Sequence, residues 1–151
     1  MPRVRGSIDI ARPVEAVFDT VADQTNEPTY NRAMVRCEKV VPGPVGEGSR
    51  FRALMRTAGR EVPMTCELVD YARPHHLGVL TCVDGTMIDG TMDFVPSPVG
   101  TRMSWDWDVR TLGWLRLIGP LVAWLGRRQE RRIWGALKQR LELREGSQTG
   151  S

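Results

Sequence analysis

Residues 101–109 read TRMSWDWDV, and from Arg102 onward polar and apolar side chains alternate without a break. A strict two-residue period is typical of a β-strand that has one face towards the protein interior and the other towards water. Four apolar side chains therefore share the inner face: Met103, Trp105, Trp107 and Val109. Two large indole rings on one strand need something to pack against, so the rest of the chain has to supply a core or a cavity opposite them.

The length and charge of the chain indicate one domain without a nucleic-acid surface. A chain of 151 residues can bury a sizeable core without metal ions or disulfides. The formal net charge is only +3, and no recognised nucleic-acid motif or platform of arginine and aromatic residues is present. We therefore expect no binding to nucleic acid.

The cysteines and the N-terminal residues favour a reduced, cytoplasmic protein. Cys37, Cys66 and Cys82 lie far apart and match neither a Cys-x-x-Cys pair nor a zinc-binding spacing. The first residues lack the apolar run of a signal peptide. The longest apolar segment, residues 114–125, contains Arg116 and is shorter than the roughly 20 residues of a membrane-spanning helix. We expect a cytoplasmic location and no metal site.

The hydrophobic pattern predicts a strand, two short helices, six strands and a long helix, in that order. Residues 4–10 alternate and form the first strand. Pro13 suits the first position of a helix, and a second short helix is expected over residues 26–32. Six further strands are separated by turns rich in glycine, proline and aspartate: 34–41, 49–57, 62–71, 77–83, 87–95 and 101–109.

A long helical segment over residues 114–145 completes the pattern. Pro120 within it predicts either a kink or the true start of the helix. A cluster of arginines at positions 127–132 lies mostly off the apolar face, and residues 146–151 are expected to form a disordered tail. The predicted buried stripe consists of Ile118, Val122, Leu125, Gln129, Ile133, Leu137 and Leu141.

This order of elements predicts an α+β fold in a single domain over residues 1–145. A seven-stranded antiparallel sheet has one face that needs cover, and only one long amphipathic helix is available to cover it. The sheet is therefore expected to curve around that C-terminal helix. Since one helix cannot fill so wide a concave face, a cavity between the helix and the sheet is the natural consequence.

Four short segments resemble those of a known superfamily, in matching order and spacing. They are RPVEAVF at 12–18, EPTYN at 27–31, VGEGSRF at 45–51 and GTRMSW at 100–105. Together they are similar to the START-like superfamily (SRPBCC, birch-pollen-allergen-like), most of all to its bacterial polyketide cyclase/dehydrase family, over residues 3–145. The resemblance implies the helix-grip fold and an apolar cavity for lipids, polyketides or other hydrophobic molecules. It does not imply one reaction.

Candidate ligand-binding residues come from three places in this predicted fold. Tyr30 and Asn31 end the second short helix, where the Tyr30 hydroxyl could bond an oxygen of a ligand. Adaptable or aromatic side chains lie on the concave side of the sheet: Phe51, Met55, Met64, Cys66 and Trp107. The first turns of the terminal segment are expected to roof the cavity with Trp114, Ile118, Leu121 and Leu125. Trp105 is expected to be mainly core.

No catalytic residue is predicted. The only polar groups assigned to inward faces are Tyr30, Cys66 and Thr81, without His, Asp or Glu, so binding is favoured over catalysis and no cofactor is expected. Two alternatives stay open. One is a polyketide cyclase or aromatase in which Tyr30 or a water assists enolisation. The other is an interaction module, at a membrane surface or a partner, using Trp124, Leu125 and the arginines of 127–132. The ligand and the oligomeric state stay open as well.

Overall fold

The computed structural model describes residues 3–57, 59–83, 85–111 and 119–148, with only the course of the helix described for 119–127 and 144–148. Within these described ranges the chain forms seven strands, two α-helices and one short 3-10 helix. The strands are β1 (Arg3–Ile10), β2 (Met34–Lys39), β3 (Arg50–Thr57), β4 (Arg60–Ala72), β5 (His76–Val83), β6 (Thr86–Ser97) and β7 (Gly100–Thr111). The helices are α1 (Val14–Ala22), the 3-10 helix (Gln24–Thr29) and α2 (Gly119–Gln148).

All the strands belong to one antiparallel sheet in the order β1-β7-β6-β5-β4-β3-β2. The chain leaves β1 at one edge, crosses through α1 and the 3-10 helix to β2 at the other edge, and then returns strand by strand. Register shifts between Met34 and Arg36 in β2, and between Leu68 and Asp70 in β4, add the local bending that β-bulges give a sheet. The predicted curved seven-stranded α+β fold is confirmed.

Strand β7 carries the alternating stretch as predicted. Met103, Trp105, Trp107 and Val109 are all buried, none more than 8% exposed. On the opposite face the Asp106 carboxylate accepts hydrogen bonds from the exposed Arg3 guanidinium at 2.7 and 2.8 Å. The two indole rings have room because glycines lie opposite them: Gly6 of β1 pairs with Trp105, and Gly90 of β6 pairs with Trp107. A Cβ atom on Gly6 would lie 2.5 Å from Trp105 Cζ2.

Helix α1 supplies the packed end of the core. Its apolar face is the predicted one, with Val14, Val17, Phe18 and Val21 all buried. The Phe18 ring packs edge-on against Tyr71 of β4 and Phe94 of β6, with ring centroids 5.3 and 5.2 Å apart. Such edge-to-face pairs add to the free energy gained by burying the rings.

The second short helix begins and ends earlier than predicted. The Asp23 carboxylate accepts hydrogen bonds from the backbone N–H and the hydroxyl of Thr25, which starts the 3-10 helix at Gln24 instead of residue 26. The helix stops at Thr29, so Tyr30 and Asn31 lie just beyond it and lead into β2.

Helix α2 is described from Gly119, and Pro120 is its second described residue. Residues 112–118 lie outside the described part, so the choice between a kink and a helix start at Pro120 stays a prediction. The helix reaches Gln148, three residues into the segment predicted as a disordered tail, and residues 149–151 lie outside the described part. No helix in the described part of the chain is long and apolar enough to span a membrane.

The buried stripe of α2 differs from the predicted one in phase. Ile133, Leu137 and Leu141 are buried as expected, but Gln129 is exposed and Trp134 is buried in its place. Trp134 contacts Trp105 of β7, with ring centroids 5.8 Å apart. Because 3.6 residues make a turn, a stripe that includes Trp134 extends back to Glu130, which is half-buried. In the arginine cluster, Arg128, Arg131 and Arg132 are exposed.

Candidate ligand-binding cavity

A cavity of about 390 Å³ lies between the concave face of the sheet, the 3-10 helix and α2. Its wall is mostly apolar, and Ile133 and Trp134 of α2 complete it from the helix side. The strands contribute the polar residues Thr81 and Thr86 and the apolar residues Val4, Met55, Met64, Leu77, Val79, Val83, Ile88, Met92, Trp107 and Val109. Three methionines among these side chains give the wall flexible segments, because an unbranched thioether can adapt to the shape of a guest.

Five of the predicted binding residues line this cavity: Tyr30, Asn31, Met55, Met64 and Trp107. Trp105 lies in the core against Trp134 and is not part of the wall.

Phe51 and Cys66 differ from the prediction, since both are buried in the main core and neither is part of the wall. They lie directly opposite each other on β3 and β4, so each fills the space beside its partner. The Cys66 thiol accepts a hydrogen bond from the Thr81 hydroxyl at 3.6 Å, and burial raises its pKa to about 12. A thiol with that pKa is protonated at neutral pH and is a poor nucleophile.

The four predicted roof residues are not described well enough to place their side chains. Trp114 and Ile118 lie outside the described residues. Leu121 and Leu125 lie in the first turns of α2, where only the helix itself is described.

Two carboxyl groups that the sequence analysis missed line the cavity, Glu27 from the 3-10 helix and Glu130 from α2. Burial raises the pKa of Glu27, against the effect of a hydrogen bond from Asn31. Burial also raises the pKa of Glu130 to about 7, opposed by the hydrogen bond from the Trp134 indole N–H and by the nearby Trp107 indole. The expectation of a cavity without Asp or Glu is therefore wrong.

Both carboxyl groups were missed because they lie on helices. The search for polar residues in the cavity followed the alternation of the strands, and Glu130 stands inside a run of arginines that is typical of a solvated helix face. One signal was present, since Glu130 is one turn before Trp134 and close to the apolar stripe. For Glu27 the signal was its position three residues before Tyr30.

Asn31 is buried and makes hydrogen bonds within the protein through both ends of its side-chain amide. Its amide Nδ2 donates to Glu27 Oε1 at 2.9 Å, and its Oδ1 accepts from the backbone N–H of Ala33 at 3.1 Å. These bonds orient the Glu27 carboxyl and fix the path of the chain into β2. Asn31 therefore acts on the cavity mainly by holding Glu27 in place.

The aromatic side chains bring further hydrogen-bonding groups to the same wall. Tyr30 packs against Trp134 with ring centroids 6.1 Å apart, and burial, followed by the Glu27 carboxyl, raises the pKa of its hydroxyl well above the ordinary value. The hydroxyl therefore stays protonated and can donate. The buried indole N–H of Trp107 finds no hydrogen-bond partner among the described residues. The indole ring of Trp107 is part of the cavity wall, whereas its nitrogen is buried beside the Glu130 carboxyl.

The ionisable side chains described in the cavity wall include acidic groups but no basic ones. Among the described residues that line the cavity, two are Glu and none is Arg, Lys or His. The described residues also include no group of His, Cys, Asp or Glu arranged to hold a metal ion. The shape and chemistry of the cavity suit an apolar molecule, with the Tyr30 hydroxyl as a hydrogen-bond donor and Glu130 as a group that can exchange a proton near neutral pH.

Comparison with known proteins places this arrangement in a family. The sequence profile described as "Polyketide cyclase / dehydrase and lipid transport" matches residues 1–142. No curated protein matches the chain in sequence.

Solved structures share the fold at low sequence identity. A START superfamily protein from Mycobacterium smegmatis has a TM-score of 0.80 at 20% identity, covering 93% of this chain and 97% of that one. TTHA0849 from Thermus thermophilus has a TM-score of 0.79 at 21% identity, covering 94% and 98%. The structure of Ara h 8.0201 has a TM-score of 0.70 at 11% identity, covering 91% and 95%. The chain belongs to the polyketide cyclase/dehydrase and lipid transport family and has the START-like, helix-grip fold.

Proposed function

We propose that the protein binds an apolar small molecule in the cavity between the sheet and α2. The observation that carries the proposal is the mostly apolar cavity of about 390 Å³, which is within the usual range for small-molecule sites, about 300–1,000 Å³. The family, whose description includes lipid transport, supports the same class of ligand. A cytoplasmic location stays a prediction from the sequence, in keeping with the free thiols of Cys37, Cys66 and Cys82.

A fluorescent probe that is neutral and apolar, N-phenyl-naphthylamine, tests this proposal. Its emission rises when it leaves water, so titration with the wild-type protein should give a saturable increase. Ile88→Trp should abolish that increase, because Ile88 lines the cavity and an indole there would occupy the space of the guest. Val95→Trp is the matched control, since Val95 is on the same strand but 48% exposed on the outer face. Equal probe binding by both variants would rule out this cavity as the site.

We also propose a second candidate, a cyclase-type enzyme, on one specific observation. The Glu130 carboxyl lines the cavity with a pKa raised to about 7, which suits a group that takes and returns a proton near neutral pH. Tyr30 lines the same cavity and could stabilise an enolate oxygen by donating its hydroxyl hydrogen.

Deuterium exchange at the central carbon of a β-diketone, followed by NMR, tests proton transfer without knowledge of the natural substrate. The wild-type protein should accelerate the exchange, and Glu130→Gln should return it to the buffer rate. Glu61→Gln makes the same chemical change at an exposed position and should leave the acceleration intact. An acceleration that survives Glu130→Gln would exclude Glu130 as the base.

A further inference from the structure

The two carboxyl groups of the cavity wall come from different helices and interact electrostatically. Glu27 belongs to the 3-10 helix and Glu130 to α2, and both side chains are half-buried. In the described part of the chain, no oxygen of either carboxyl is enclosed without a hydrogen-bond partner. Each oxygen therefore either has a hydrogen bond within the protein or keeps accessible surface.

Both carboxyl groups keep acceptor sites for a ligand. The Asn31 amide donates to Glu27 Oε1, and the Trp134 indole N–H donates to Glu130 Oε2. The Trp107 indole also interacts with Glu130. An ionised carboxylate offers about four acceptor sites, so these bonds leave sites unused on both groups.

The described wall supplies no positive charge to balance these carboxyl groups. The titratable groups that interact with Glu27 and its surroundings are Asp23, Tyr30 and Cys37. Burial raises the pKa of the Tyr30 hydroxyl well above its ordinary value and that of the Cys37 thiol to about 12, so both are neutral at physiological pH. Because a buried carboxylate without a counter-charge is costly, a cation on the ligand would stabilise the ionised pair.

Aromatic rings lie in the same wall as the carboxyl groups. Tyr30 and Trp134 both line the cavity with ring centroids 6.1 Å apart, and the Trp107 ring is part of the wall as well. The face of an aromatic ring attracts cations, and that of tryptophan does so most strongly. Carboxylates and aromatic rings in an apolar cavity are the chemistry that recognises an ammonium group on an apolar body.

We infer, as a refinement that rests on the proposed function, that the ligand is an apolar amine whose protonated nitrogen binds to the Glu130 and Glu27 carboxylates. The ammonium N–H groups donate charge-assisted hydrogen bonds to these carboxylates, and the Tyr30 and Trp134 rings lie beside them. The apolar body lies along the methionine and aliphatic side chains of the strands. A carboxylate head would meet two groups of like charge and would lose its own hydration, so the cavity discriminates against fatty acids.

Ligands with the same chain and different heads test the inference. Decylamine, decanol and decanoate should be compared at slightly alkaline pH for their ability to displace N-phenyl-naphthylamine from the wild-type protein. We expect decylamine to displace the probe at a concentration at least about tenfold lower than decanol does, with decanoate the weakest. The formal net charge of the chain is +3, so the overall charge of the protein does not favour a cation, and such a ranking would reflect the cavity.

The affinity for decylamine should also increase with pH, because Glu130 has to be ionised to pair with the ammonium group. Burial raises the pKa of Glu130 to about 7, so its ionised fraction increases about tenfold from about pH 6 to about pH 8. An alkylammonium group, like that of lysine, stays protonated to about pH 10. We expect decylamine to bind about tenfold more tightly at the higher pH, while the affinity for decanol changes less than about twofold.

Two pairs of variants assign the effect to the carboxyl group and to the cavity. Glu130→Gln keeps the shape of the side chain and removes its charge, so it should weaken decylamine about fivefold to tenfold at alkaline pH and leave decanol nearly unchanged. The exposed Glu61→Gln should change neither affinity. Measured by calorimetry, decylamine binding should be lost in Ile88→Trp, which fills the cavity, and kept in Val95→Trp on the outer face.

The outcomes separate the amine inference from the proposed function. If decanol or decanoate binds as tightly as decylamine, or if Glu130→Gln leaves decylamine binding unchanged, the inference is overturned while the apolar cavity stands as a binding site for the probe. Decylamine that binds Ile88→Trp as tightly as wild type would lie outside the cavity, which also overturns the inference. If neither the probe nor any ligand binds, the proposed function fails, and the inference that rests on it fails as well.

Discussion

Strands β4 and β6 have a close-packed end and an end that borders the cavity. At one end Tyr71 of β4 and Phe94 of β6 enclose the Phe18 ring of α1. At the other end of the same strands Met64 and Ile88 face the cavity. Since the strands are shared, the difference arises from what covers them: α1 fills one end with an aromatic ring, and no described side chain fills the other.

Helix α2 shows the same change along its own length. Leu137 and Leu141 are 0 and 2% exposed, as in a close-packed core, while Glu130 is two turns earlier and lines the cavity. One helix therefore stabilises the fold with one part and shapes the site with another. The concave face of the sheet is close-packed where aromatic side chains interlock, and it borders a cavity where fewer described side chains cover it.

Truncating the two tryptophans should give the largest contrast between these regions. We expect Trp105→Ala to lower the free energy of unfolding by about 3–5 kcal/mol, because Trp105 packs against Trp134 in the core. Trp107→Ala should cost less stability and more affinity for an apolar ligand, because a cavity wall has fewer packing partners to lose. Urea unfolding and probe titration of both variants measure the two effects. Equal stability losses with unchanged ligand binding would mean that both residues are simply core.

The next largest effect should come from pH through Glu130. Its pKa is raised by burial from 4.5 to about 7, so the folded state binds more protons than the unfolded state between these values, and stability falls as pH rises through that window. The shift corresponds to at most about 3 kcal/mol. Glu130→Gln should remove this dependence, so its stability relative to wild type should increase from mildly acidic to mildly alkaline pH.

Chemical unfolding at several pH values checks this expectation, with the exposed Glu61→Gln as the control. A difference between Glu130→Gln and wild type that stays constant with pH would contradict a buried carboxyl at this position.

Two glycine substitutions should change the free energy of unfolding by intermediate amounts, one lowering it and the other raising it. A Cβ on Gly90 would lie 2.0 Å from the backbone oxygen of Asp106 and 2.7 Å from Trp107 Cε3, so Gly90→Ala should cost about 1–3 kcal/mol as the strands shift. Gly135→Ala is the control in α2, where nothing lies within 4 Å of the added atom, and it should stabilise the protein by about 0.5–1 kcal/mol. Thermal melting separates the two. If Gly90→Ala leaves the melting temperature unchanged, strands β6 and β7 can move apart around Trp107 without loss of stability.

The smallest effect should come from the convex surface, away from both regions. Asp106 pairs with the exposed Arg3 and Arg5, and the hydrogen bond from Arg3 is the main cause of its lowered pKa. Asp106→Asn should lower the melting temperature less than any change above, and the loss should shrink at high salt, because exposed ion pairs are weak and screened. If Asp106→Asn lowers the melting temperature as much as Trp105→Ala does, the ion pairs of the convex face contribute far more to stability than expected.

The sequence was sufficient to predict the sheet, but it predicted only part of the cavity wall. Alternation identified which face each strand residue occupies, so Trp107 and Met64 were correctly assigned to the concave side. It does not say how far along a strand the packed region extends, which is why Phe51 and Cys66 were taken for cavity residues. The positions of the Glu27 and Glu130 carboxyl groups in the cavity wall depend on which face of each helix is turned inward and on tertiary burial, and strand alternation reports on neither. The burial of the Trp107 indole nitrogen beside Glu130 depends on atomic positions that no sequence pattern contains.

The strand order β1-β7-β6-β5-β4-β3-β2 leaves the sheet with two unclosed margins, and each is protected against self-association in its own way. Beside β1, α2 approaches closely: Lys138 Nζ donates to the backbone oxygen of Asp9, and Glu142 accepts from the N–H of Ala11. At the other margin β2 is only six residues long and has a register shift near Arg36. Covered backbone, short strands and bulges all hinder edge-to-edge pairing with a second chain. The open sheet that leaves room for the cavity therefore has no long, flat, uncovered edge among its described strands.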